Sequence, residues 1–202
     1  MSRAEAAQQI LKVHAFYAER GVSLATAALG GSKDFVRWNH YPKNDLVDEK
    51  NKSRFFYHAH DQDEHLVAEH GHFHVFTRSD ARPSNAYSHL VGISVNALGS
   101  PIRIFTTNQW VTGEIMKSFR TLETEIQNFR VEANGRLAPI ALWLTAMIHF
   151  YKDAVVDLIK RRDEVLSNHK AGLKLAVVDK SLHIVSEMNL VSHWNNLKME
   201  IE

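Results

Sequence analysis

The chain contains no cysteine. That absence excludes disulfides, thiolate metal sites and a cysteine nucleophile, and it leaves the redox compartment open. A charge excess is missing too: 24 basic residues face 23 acidic ones for a net +1. The basic residues are scattered and form no stripe with interleaved aromatics, so no nucleic-acid partner is expected. The longest apolar run, Leu137 to Tyr151, falls short of the roughly 20 residues that span a bilayer, so no membrane partner is expected either. The opening MSRAEAAQQILKVH lacks the charged-then-apolar layout of a secretory signal, which makes a cytoplasmic protein the expectation. There is no internal repeat and no low-complexity linker. With 45% hydrophobic and 23% charged residues over 202 positions, the chain can bury a sizeable core, and we expect a single domain over 1–202.

The pattern along the chain changes texture twice. Residues 1–36 form an N-terminal helical segment: Ile10, Leu11, His14, Tyr17 and Ala18 fall on one helix face, Gly21 stops it, and a short second helix runs from Ser23 to Leu29. Residues 39–53 are polar, contain Pro42 and read as a loop. From 54 to 107, aromatic and β-branched residues alternate with polar ones in RFFYHAH, HGHFHVFTR, YSHLVGISVNA and PIRIFTTN, which predicts four strands of an antiparallel meander. Residues 114–166 return to helical period, first with Ile115, Phe119, Leu122, Ile126 and Phe129, then with a long helix over 137–166 that is apolar almost all round. The tail, 172–202, is ambiguous between helix and a hairpin around Lys180-Ser181, and the hairpin is the expectation. The fold class is therefore α+β: a small antiparallel β-meander flanked by N-terminal and C-terminal helices.

What the chain has in excess is histidine, 13 in all, of which His58, His60, His65, His70, His72, His74 and His89 lie within one short stretch. Residues two apart on a strand share a face. His58 and His60 thus project together from one strand, and His70, His72 and His74 from the next, while Gly71, Phe73 and Val75 form the packed reverse. If these strands pair, their imidazoles line one surface, which His89 from the third strand can join. Neutral imidazole is the commonest metal ligand and suits zinc and iron, and also copper and nickel. The candidate metal ligands are His58, His60, Glu69, His70, His72, His74 and His89, with Asp61 and Glu64 nearby. Register between the strands decides which of them share a face. His14, His149, His169, His183 and His193 read as solvated or satisfied core residues.

Two partial motifs overlap this stretch. His58-Ala59-His60-Asp61-Gln62-Asp63-Glu64 followed by Gly71 fits the first metal motif of the cupins, without their second. His70-Gly71-His72-Phe73-His74-Val75-Phe76 has the outline of the histidine-triad nucleotide hydrolases and transferases, in which His72 would attack phosphorus. Outside the cluster, His40 or Asp45 could add a ligand or a proton-transfer group, against a plain polar loop. Asn108, Trp110 and Glu114 could line a pocket at the sheet end. Arg78 and Arg82 could hold an anionic substrate, although loop arginines are more often solvated.

The chain also resembles a bacterial family catalogued only as a domain of unknown function. The likeness rests on His40-Tyr41-Pro42 with Asp45 and Asp48, on Tyr57-His58-Ala59-His60, on Glu69-His70-Gly71-His72-Phe73-His74 with Phe76, and on Thr107-Asn108 with Trp110 to Glu114. It covers roughly Arg37 to Asp163 and implies that the histidines belong to a shared design, but it carries no activity. The reading is a transition-metal-binding protein and, if it is an enzyme, one with a mononuclear non-haem iron or zinc site acting on a small molecule. Its alternatives are a non-catalytic metal-binding or sensing protein and a histidine-triad phosphotransferase using His72.

Overall fold

The structure, a computed structural model, describes residues 1–32, 34–59, 68–78 and 86–199. In chain order its elements are α1 (Arg3–Ala18), α2 (Leu24–Ala28), β1 (Tyr41–Asp48), β2 (Ser53–His58), β3 (Gly71–Thr77), β4 (Ser88–Val95) and β5 (Pro101–Thr107). They continue with α3 (Gln109–Thr112), α4 (Phe119–Gln127), α5 (Ala138–Phe150), α6 (Lys152–Ser167), α7 (Leu173–Ala176), β6 (Ile184–Asn189) and α8 (Val191–Met199). The six strands form one open antiparallel sheet in the order β1-β2-β3-β4-β5-β6. The fold is α+β, with helices at both ends of the chain. Among the described residues no helix is long and apolar enough to cross a membrane.

Local chemistry explains most element boundaries. Ser2 caps α1 in a reciprocal box with Glu5, and Ser23 caps α2 through the Thr26 N–H. The β4–β5 turn is tied by Asn96, whose side-chain oxygen accepts the N–H groups of Leu98 and Ser100 while Gly99 takes a positive φ of 81°. One sheet face packs on the helices. Phe55, Tyr57, Phe73, Val75, Val91, Ile93 and Ile104 join Ile10 and Val13 of α1 and Trp143, Leu144 and Met147 of α5 in the main core. Phe73 and Trp143 meet at 5.5 Å. The long apolar run thus supplies the central helix, and only Leu142 along its middle is exposed.

The structure departs from the sequence expectation in three places. Residues read as a loop include β1, an edge strand that pairs with β2 through an irregular register between Tyr41 and Leu46. Its polar, half-exposed pattern and Pro42 are what an edge strand tolerates and a periodicity argument discards. The tail is no hairpin: its first half makes the short helix α7, and its second half becomes β6 on the far edge, paired with β5. The single long helix over 137–166 is two, α5 and α6, meeting at Tyr151, whose φ of −100° and ψ of 21° leave the helical region. Past it, α6 packs on β5 and β6, with Ser186 donating to the Leu158 carbonyl at 2.7 Å.

Gly92 shows how tightly the other sheet face is filled, because a Cβ there would come within 2.2 Å of the Phe105 ring. Gly92→Ala should destabilise the fold by about 1–3 kcal/mol through overpacking. Urea unfolding measures it, and an unchanged midpoint would show that Phe105 is not held against this strand.

Candidate metal centre

The face opposite the helices gathers the histidines. In the β2–β3 register Phe56 faces His74 and His58 faces His72. Cross-strand partners share a face, so His58, His72 and His74 converge. One ring nitrogen from each lies within 4.8 Å of the others, a spacing that one metal ion can bridge. All three are buried, at 8%, 3% and 2% exposure.

Outer partners orient these rings. Glu69 is acceptor-only, so His72 Nδ1–H donates to its Oε1 at 2.6 Å. That bond turns His72 Nε2 toward His58 Nε2, 2.8 Å away. The other Glu69 oxygen accepts from Arg103 at 2.9 Å, and Arg103 also donates to Glu187 at 3.0 Å. Glu69 is thereby a buried carboxylate with a cation on one side and an imidazole on the other, which offsets its desolvation. This is the carboxylate–histidine arrangement that fixes ring orientation in metal sites.

His89 reaches the same face through a bulge. Val75 pairs with Val91 but Phe76 pairs with His89, leaving Leu90 as the extra residue. Both Leu90 and Val91 enter the apolar core, while the His89 ring meets His74 Nδ1 at 2.9 Å and Thr107 at 3.2 Å. Burial holds His89 down at about 3, and the Arg162 charge works the same way. Glu114 lies behind it. One of its oxygens accepts the His89 backbone N–H; the other is buried with no partner among the described residues. Burial pushes the Glu114 carboxyl up to about 7, against the pull of Arg162 and the His89 N–H.

Aromatic rings frame the cluster. Phe56 is 5.2 Å from His58 and 5.0 Å from His74, and Phe105 turns its edge to His72 at 5.3 Å. His40 stacks on Phe56 at 3.7 Å, meets His58 edge-on at 5.5 Å, and shares a 2.8 Å bond with Asp45. Asp45 takes a positive φ of 54°, a conformation that Asp tolerates better than most residues.

Of the candidates from sequence, the structure brings His58, His72 and His74 together, sets His89 behind His74 and sets Glu69 behind His72. His70 lies elsewhere: its Nδ1 bonds the Tyr57 hydroxyl at 2.8 Å and its ring stacks on Phe35 at 4.8 Å. Burial lowers its pKa. His60, with Asp61, Glu64, His65 and Arg82, lies outside the described residues. Asn108 and Trp110 serve the fold, donating to the Ala176 and Leu182 carbonyls. The sequence-based set omits Arg103, which was legible as a lone charge inside the apolar strand PIRIF and so in need of a buried partner. Thr107 enters the sequence reading only through the family likeness, without a role, and Arg162 as a site neighbour has no sequence signal.

A family described as a domain of unknown function (DUF6969) matches residues 4–190 of the chain. No curated protein and no solved structure matches it.

Two buried groups give opposite pH signatures. The folded-state pKa of His89 lies below its ordinary 6.5, so the stability from burying it neutral is present above that value and lost as pH falls toward about 3. The pKa of Glu114 is raised, so its contribution is full below the ordinary 4.5 and lost as pH rises through about 7. In urea unfolding across pH, His89→Gln should flatten the acid limb and Glu114→Gln the neutral limb, each by up to about 1.4 kcal/mol per pH unit. Parallel curves for wild type and variant would remove the group from the pH response.

Proposed function

From a chain that belongs to this family of unknown function, we propose a mononuclear metalloprotein that holds one transition-metal ion, zinc or iron, on His58, His72 and His74 and acts on a small molecule. The observation that carries the reading is the convergence of three buried imidazoles, two of whose outer nitrogens have partners of their own, Glu69 for His72 and His89 for His74. The donor set fits: neutral nitrogen ligands without thiolates suit zinc and iron(II), and three protein ligands leave a position that catalytic centres keep open. A bound ion would supply Lewis-acid polarisation of a ligand atom.

The chain's own residues do the rest. Glu69 accepts from His72 and draws Arg103 in behind it, fixing one ligand ring from the outside. The His58–His72 contact supports a preformed site. With its proton on Nδ1, His72 Nε2 accepts from His58 Nε2–H, so His58 would have to carry its proton on Nδ1 instead for Nε2 to hold an ion. Phe56 and Phe105 keep the environment apolar, and His40 with Asp45 occupies its half-exposed rim.

The phosphotransferase alternative draws less support. A nucleophilic His72 needs an accessible nitrogen, and here Nδ1 is committed to Glu69 and Nε2 to His58. A non-catalytic metal-binding role differs only in whether the remaining coordination position is filled by a side chain.

Elemental analysis of protein purified without a histidine tag is expected to give about one equivalent of a single metal, or to restore it on adding zinc or iron(II). His72→Ala/His74→Ala should abolish binding, and Glu69→Gln should weaken it about 10- to 100-fold while leaving the ligand set intact. Wild-type protein that stays folded but takes up neither ion would sink the proposal.

A further inference from the structure

The same sheet face carries a second cluster beyond the histidines. Arg54, two residues before Phe56 on β2, pairs across the sheet with Phe76. Its guanidinium lies 4.3 Å over the Phe76 ring and 4.8 Å over the Tyr87 ring. Arg78 approaches Tyr87 as well, at 5.4 Å, and bonds Glu49 at 2.7 Å. Phe56, Phe76 and Tyr87 form an apolar cluster of their own, separate from the helical core. Two polar atoms buried here have no hydrogen-bond partner among the described residues: Arg54 Nε and the Tyr87 hydroxyl. Asp45 approaches Arg54 Nε only to 3.7 Å, beyond hydrogen-bond reach, and is already engaged by His40.

Orphaned buried donors are rare in folded proteins and call for an explanation. The guanidinium N–H can only donate, and a phenol beside a guanidinium donates more readily than it accepts. Tyr87 is 5% exposed, and burial raises its pKa. What Arg54 Nε and the Tyr87 hydroxyl lack is therefore an acceptor oxygen. Asp45 and Glu49 already balance Arg54 and Arg78 in charge, so selection rests on the donor fork and not on a positive field. That balance favours a monoanion over a dianion such as phosphate. From there the path to the metal centre is apolar. Phe76 is 5.2 Å from His89, Phe56 is 5.0 Å from His74, and His74 lies two residues, about 7 Å of strand rise, from Phe76.

We propose that Arg54 and Tyr87 hold the carboxylate of a small organic acid whose apolar body lies along Phe56 and Phe76 and whose far end reaches the three-histidine centre. The placement of that far end rests on the metal reading above; the acid-binding end stands on Arg54 and Tyr87 alone. Asp45, which bonds His40 and lies 3.7 Å from Arg54 Nε, stands between the two side chains at the rim.

The test is calorimetric titration of the full-length protein with 3-phenylpropionate and, separately, with inorganic phosphate, with metal content measured on each preparation. Wild type should bind 3-phenylpropionate at least tenfold more tightly than phosphate. Arg54→Met, which keeps the stem over Phe76, and Tyr87→Phe, which removes only the hydroxyl, should each weaken it by about tenfold or more with metal content and unfolding midpoint unchanged. Binding that survives in both variants, equal binding of phosphate, or no binding to metal-loaded wild type would overturn the acid site. Acid binding with the expected losses in metal-free protein that takes up no ion would keep the acid site and remove the metal reading.

Discussion

The pairing of His58 against His72 across β2 and β3 is the constraint on which the site depends. A slip of one residue would turn His72 and His74 into the helical core and bring Phe73 and Val75 out in their place. The register is held from both sides of the sheet. On the helical side, Tyr57, Phe73 and Val75 pack with Trp143, which imidazoles could not replace without burying unpaired nitrogens. At the start of β3, Gly71 lets the strands close: a Cβ there would lie 2.6 Å from both the His58 carbonyl and the Tyr57 hydroxyl. Hydrophobic packing on one face thus specifies the geometry of the histidines on the other.

Much of this was legible because a strand's period of two admits few readings. The alternation in HGHFHVF is enough by itself to assign His72 and His74 to one face and Phe73 and Val75 to the other. The same periodicity could not settle His70. It precedes the first residue of β3, where the alternation lapses and Tyr57 captures the ring. Nor could it place His89 by simple counting, because the bulge at Leu90 adds a residue that only the partner strand reveals. The edge strand read as a loop, β1, has a clear cause: an edge is half-exposed and polar, so hydrophobic patterning fades where pairing is one-sided. Glu69 stands out in the sequence by its position beside the histidines, whereas its contact with Arg103, 34 residues on, is visible only in the fold.

The cluster is also an electrostatic compromise. Several imidazoles cannot be buried together as cations, and His89, held at about 3, is neutral throughout the physiological range. One negative charge, Glu69, stands behind His72, and Arg103 neutralises it from the opposite side. Glu114, pushed up to about 7, sits near the opposite end behind His89. Glu69 and Arg103 thus offset each other behind His72, so a divalent cation would bring its charge into a region of imidazole donors backed by one paired carboxylate.

Stability alone does not account for such an arrangement. Neutral hydrogen bonds between imidazoles recover only part of the cost of desolvating them, typically about 1 kcal/mol each, whereas a β-branched or aromatic residue at each position would gain about 1.5–3 kcal/mol by burial. Each histidine on this face is therefore a local loss that the Phe73–Trp143 side must offset. A sequence that satisfies the alternation rule so closely on one face and sacrifices burial energy on the other has the pattern expected of a functional site. The orphaned donors of Arg54 and Tyr87 extend that argument along the same face. Unpaired polar groups beside an apolar floor are a second uncompensated cost, and a ligand that spans the distance to His74 is the simplest single term that would offset both.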